Sequence, residues 1–184
     1  MLRMLHRLGR TEGAEIAEAA LVLPLVFMFL LGIVWFGRAF QIYSTITQAA
    51  QRGAVTAARP ACATCASPGD NWSGTNFPGN STVANAVYSV TDASNLDRTL
   101  ITPNAPSAAP TFCVLPPPSP QGACSSIISS ITICRAVVLN SPSTPAQCGV
   151  IVSFKYPFQF YLPFTSLNLQ EITLTAEAQT RMEN

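Results

Sequence analysis

Apolar residues occupy the chain without a charged interruption from Ala19 to Gly37, then thin into a helical stripe, and later fall into short alternating runs. At ~1.5 Å rise per residue the first run extends about 28 Å, close to the ~30 Å hydrocarbon core of a bilayer. A helix apolar on every face for five turns suits lipid better than a water-soluble core. The run therefore predicts a membrane-spanning helix over 19–37. From Arg38 to Ala58 no proline intervenes, and Phe40, Tyr43, Ile46, Thr47, Ala50, Ala54 and Ala57 recur at spacings of three and four. This predicts that the helix continues, with a narrow stripe of mostly small residues that permits close approach of another element. Pro60 closes it after Arg59. The expected helix, 14–59, is membrane-spanning in its first half.

The pattern after residue 60 predicts a small α+β domain, 60–184. Cys62 to Gly79 reads as loop, with Pro68-Gly69-Asp70-Asn71 as its turn signal. Asn80-Ser81-Thr82 can cap a short helix through about Ala93 whose face is Val83, Ala86, Val87 and Val90. Strands are expected at Arg98–Thr102, Thr111–Leu115, Ile127–Leu139, Val150–Tyr156 and Glu171–Met182, giving a mainly antiparallel sheet. The last is the clearest, because Ile172, Leu174, Ala176 and Ala178 alternate with Thr173, Thr175, Glu177 and Gln179. Pro116 to Pro120 and Ser141 to Pro145 read as stiff extended loops. The apolar stretch Tyr156 to Phe164 carries Pro157 and Pro163, which argue against a central strand. It is expected to be a loop displaying Phe158, Phe160, Tyr161 and Phe164, either covering the core or exposed as a contact patch.

Composition narrows the function classes. At 184 residues there is room for one span and one ordinary domain, and charged residues make up only 10% with a net charge of +1. No basic stripe exists to bind phosphate, so nucleic acid is not expected as a partner. All six cysteines (Cys62, Cys65, Cys113, Cys124, Cys134 and Cys148) follow the apolar run. An even set on one side of a membrane predicts disulfide staples in an oxidising compartment, in any of fifteen connectivities. The tail from Met1 to Glu12 carries Arg3, Arg7 and Arg10, which favours a cytoplasmic N-terminus. Arg38, Arg52 and Arg59 weaken that bias; the cysteines supply an independent argument for the same direction.

A cleaved secretory signal fits poorly. The apolar run exceeds the usual ~7–15 residue signal core, Glu15 and Glu18 stand just before it, and no small-x-small site follows closely. A carboxylate at the edge of hydrocarbon is costly. It is partly accounted for by a headgroup position at a helix N-terminus. The spacing of Gly13, Glu18 and the apolar helix also resembles the processing site of type IV-like prepilins. That resemblance implies cutting by a prepilin peptidase between Gly13 and Ala14, removal of 1–13 as a basic leader, and a role for Glu18 in subunit assembly. Pro24 removes one helix hydrogen bond and is expected to kink the helix.

Glu18-Ala-Ala-Leu-Val-Leu-Pro-Leu-Val, Leu31-Gly-Ile-Val-Trp-Phe-Gly-Arg-Ala-Phe and Thr47-Gln-Ala-Ala-Gln-Arg-Gly-Ala-Val-Thr-Ala-Ala-Arg together resemble the TadE-like family, minor pseudopilins of the tight-adherence (Flp) pilus system. The resemblance covers Gly13 to Arg59 and, more loosely, the end of the chain around Val152 to Phe158 and the final strand. Pro60 to Asn140 matches nothing in it. Ala19-Ala20 stands where major Flp pilins carry an aromatic residue, and the chain has a large additional domain; both favour a minor subunit. The resemblance implies an inner-membrane, single-pass protein with the bulk of its chain periplasmic. Implied partners are the prepilin peptidase, other pilins and pseudopilins, the tight-adherence assembly machinery and membrane lipid.

Catalytic chemistry finds little support. His6 is the only histidine and lies in the expected leader, so no histidine-based triad or His-containing metal site survives in the mature chain. Cys62-Ala-Thr-Cys65 has redox-pair spacing but follows a helix and enters a loop, the wrong context for thioredoxin-type chemistry. Asn71-Trp-Ser and Asn80-Ser-Thr match the glycosylation pattern, as chance allows in so Asn- and Ser-rich a chain. No enzyme, cofactor or metal is expected. The alternative to a pseudopilin is an unprocessed membrane-tethered periplasmic binding or adhesion module, separated from it by a cut after Gly13 and dependence on Glu18.

Overall fold

The computed structural model describes residues 2–59, 77–113, 122–127, 130–140, 145–159 and 171–182. The chain divides into two compact units, Met1–Gln41 and Ile42–Asn184. Helix α1, Leu2–Ala58, begins in the first unit and ends in the second, with Pro24 inside it. In the first unit α1 is a lone helix whose large apolar side chains are exposed, among them Phe29, Ile33 and Phe36.

The second unit packs the last turns of α1 and helix α2, Asn80–Ala93, on one face of an antiparallel sheet. The strands are β1, Thr102–Pro103; β2, Cys124–Ile127; β3, Ile131–Val138; β4, Cys148–Phe158; and β5, Ile172–Arg181. They are hydrogen-bonded in the order β1-β4-β3-β2, with β5 added on β4. β5 pairs along the whole of β4, while β3 and β1 divide its other edge. Ile131, Ile133, Val150, Val152, Phe154, Ala176 and Ala178 point to the helices and bury against Ile46, Ala50, Ala54, Val83 and Val87. Burying each large apolar side chain contributes roughly 1.5–3 kcal/mol. A smaller cluster of Cys134, Val137 and Ile151 with Phe112 lies apart from this core. Cys134 and Ile151 lie there by alternation, and a bulge between Arg135 and Val137 brings Val137 onto the same face, with Ala136 at φ 56° in it.

The α+β architecture agrees with the pattern, but several local expectations need correction. On α1 the expected stripe is buried at Ile46, Ala50, Ala54 and Ala57, joined by Ala49, Gly53 and Ala58, whereas Phe40 and Tyr43 are exposed and Thr47 is half-buried. The small residues let the helix lie close on the sheet. Gly53 marks the tightest approach; a Cβ built there would lie 2.6 Å from Val87 Cγ2 and 3.4 Å from Val152 Cγ1. The N-cap of α2 is Gly79 without a side-chain bond, because Asn80 Oδ1 accepts from Arg135 instead. On α2 the buried residues are Val83, Ala84, Val87 and Thr91, with Ala86 and Val90 half-buried.

Arg98–Leu100 is a 3₁₀ turn rather than a strand, since Asp97 accepts from the Thr99 amide at 2.9 Å and its hydroxyl at 2.7 Å. Thr111–Leu115 contributes one bridge, Phe112 to Val137, in its described part. The long run Ile127–Leu139 is broken into two hairpin strands, with Ser130 in the turn and its hydroxyl 2.7 Å from that of Tyr88. β4 runs on through Pro157 to Phe158, which is buried rather than displayed in a loop. The Met182 amide donates to Cys148 O, so even residues of β4 bond to β5 and odd ones face β3 and β1. Pro157 therefore faces the side where β1 pairs only as far as Lys155, and no amide is needed there. β5 alternates as expected, except that Ile172 at its start is 47% exposed. The expected loops at 60–76, 114–121 and 141–144, with Phe160, Tyr161 and Phe164, lie outside the described residues.

Candidate functional site in the N-terminal helix

Gly13, Ala14, Glu18 and Pro24 all lie within α1. At 100° and ~1.5 Å per residue, Gly13 and Glu18 sit about 7.5 Å apart along the axis and on different faces. Nothing lies within 4 Å of the place a Gly13 side chain would take, and Glu15 and Glu18 are exposed, three residues apart on one face. The Gly13–Ala14 bond is helical. A peptidase that reads an extended segment has to unwind it, and glycine lowers the cost of doing so by about 1 kcal/mol relative to alanine.

Beyond Glu18 the helix presents hydrocarbon on all sides: Leu21 at 72%, Met28 at 78% and Phe36 at 77% exposure have no protein contact to explain them. The segment Glu15–Ala58 contains a window long and apolar enough to cross a membrane, and none of that window is buried. Gly32 leaves an open notch between Leu25, Met28, Phe29, Ile33 and Phe36.

In the second unit two disulfides are formed, Cys113–Cys148 and Cys124–Cys134. Cys62 and Cys65 lie outside the described residues. The Cys124–Cys134 pair joins facing residues of β2 and β3. The Arg135 amide donates to Ala123 O, so alternation places the cystine at a non-hydrogen-bonded position, where side chains stand closest. Cys113–Cys148 ties the segment ahead of β2 to the start of β4. Among the described residues no three His, Cys, Asp or Glu side chains gather as a metal site.

Sequence reasoning missed Arg135. Its guanidinium donates to Ala57 O at 3.1 Å, to Pro78 O at 2.7 Å and to Asn80 Oδ1 at 3.2 Å, clasping the end of α1 to the start of α2. Burial lowers its pKa, and the carbonyl at the C-terminal end of α1 compensates by favouring a cation. A lone arginine in an apolar strand was the available signal.

A family model described as TadE-like protein matches residues 13–55, which is the exposed part of α1 together with most of its packed part. The match links this segment to a structural family associated with tight-adherence pili. Comparison with curated proteins and with solved structures finds no match.

Proposed function

We propose that this protein is a minor pseudopilin of a tight-adherence (Flp, type IV-like) pilus, anchored in the inner membrane by α1 and taking part in pilus assembly. The observation that carries the reading is the coincidence, on one exposed apolar helix, of the TadE-like match at 13–55 with Glu18 five residues after Gly13. In this reading a prepilin peptidase cuts between Gly13 and Ala14, and the new amino terminus pairs with a Glu18 carboxylate of a neighbouring subunit, since an unpaired charge there is costly. The domain carried by α1 is periplasmic, and it performs no catalysis. The extra domain and Ala19-Ala20 favour a minor subunit over the filament protein.

Intact mass and N-terminal sequencing of the native membrane protein, with and without the prepilin peptidase, test this. A start at Ala14 that requires the peptidase is expected, with Glu18→Ala spoiling assembly more than cleavage. A start at Met1 in both strains instead supports the unprocessed tethered binding module.

A further inference from the structure

β5 lines one margin of the sheet, and among the described residues no strand pairs with its outer side. Met182 N donates to Cys148 O, so the even residues of β5 spend their backbone groups on β4. Alternation turns the amides and carbonyls of Thr173, Thr175, Glu177, Gln179 and Arg181 outward. The strand has ten residues, and neither a proline nor a bulge interrupts its register with β4. Those are two of the devices that ordinarily blunt an edge; a third, charged side chains, is present only as Glu177 and Arg181. Only an extended backbone matches such a row of donors and acceptors.

We propose that β5 is a docking edge for an extended segment of a partner polypeptide, which adds antiparallel as every other pairing in the sheet does. The side chains along the edge state its chemistry. Ile172, 47% exposed, and half-buried Leu174 leave apolar surface on the helix-bearing face, so the partner strand sets apolar side chains there. Its other face meets Thr173, Thr175, Glu177, Gln179 and Arg181. Glu177 is held by the Ser107 amide and hydroxyl at 2.9 and 2.7 Å and stays ionised; Arg181 is exposed. The complementary antiparallel strand carries an acid opposite Arg181 and, four residues later, a base opposite Glu177. This inference does not depend on the pilus assignment.

The test uses the full chain in detergent micelles. The probe is a short synthetic peptide that alternates valine with polar residues and has glutamate four positions before lysine. Backbone amide exchange is expected to slow at least about tenfold at the five outward amides of β5 when the peptide is added, and to change little elsewhere. Thr175→Pro removes an outward donor without touching the ladder to β4, so it keeps the fold and loses the protection. Should that variant fold poorly, Arg181→Glu serves: it weakens this peptide severalfold and favours one with lysine opposite position 181. No slowing in the wild-type protein, or equal binding by Thr175→Pro, overturns the proposal. Protection that is present without peptide and grows with protein concentration assigns the edge to a second copy and also overturns it.

Discussion

At the level of single residues, the domain depends on contacts whose partners are far away in the chain. Gly53 costs the helix about 1 kcal/mol relative to alanine, yet alanine there drives its methyl into Val87. Gly53→Ala is therefore expected to destabilise by about 1–2 kcal/mol, and in a Val87→Ala background to stabilise instead; thermal denaturation of the double-mutant cycle reads the difference. Arg135→Met should cost on the order of 2–3 kcal/mol, because Ala57 O and Pro78 O lose a charged donor, and Arg135→Lys should recover only part of it. Partial desolvation raises the Glu177 pKa, but hydrogen bonds from Ser107 and Gln179 outweigh it, and the net direction is down. A lowered folded-state pKa stabilises above the ordinary carboxylate range, and that stability is lost as pH falls through the folded value. In Tm measured against pH, Glu177→Gln should have a shallower acid limb than the wild type. Gly53 was legible as one of the small residues that allow close approach. What it approaches, like the grip of Arg135, was not, because Val83 and Val87 lie 30 and 34 positions away and Pro78 lies 57 from Arg135.

Elements were legible wherever their pattern is local. Helix α2 ends as its sequence allows, with Asn95 at φ 54° and Leu96 N bonded to Thr91 O, a left-handed cap. β5 was plain because one face is wet. The β2–β3 hairpin was hidden because β3 buries residues on both faces and so lacks a clean alternation, and Ser129-Ser130, the polar break at the turn, was read through as part of one strand. The even cysteine count announced staples, but pairing depends on a register no short window contains. The observed pairing predicts unequal stabilities. Cys113–Cys148 closes a separation of 35 residues and Cys124–Cys134 one of 10. By loop entropy their removal costs about 3.8 and about 2.7 kcal/mol, so double-serine variants should differ by about 1 kcal/mol in urea denaturation. Equal losses would show that strain or residual unfolded structure governs instead.

For the molecule as a whole, the order of parts was legible from hydropathy because an apolar segment sums over a local window, whereas the expected direction across a membrane rests on two weaker signals, the basic tail and the placement of the cysteines. Arg3, Arg7 and Arg10 precede the span and Arg38, Arg52 and Arg59 follow it, so the charge bias is weak. Cys113–Cys148 and Cys124–Cys134 both lie after the apolar segment, and disulfides persist only where thiols are not kept reduced. If α1 delivers the domain to an oxidising compartment, thiol alkylation in intact cells should find all four of these cysteines blocked. Phe29→Arg places a charge mid-span at a cost of about 2.5–3.5 kcal/mol, and deletion of 19–37 removes the anchor altogether. Both should return the four thiols to reactivity, the deletion completely. Reactive thiols in the wild-type protein, or blocked ones in the deletion, would mean that the domain does not owe its oxidation to export through α1.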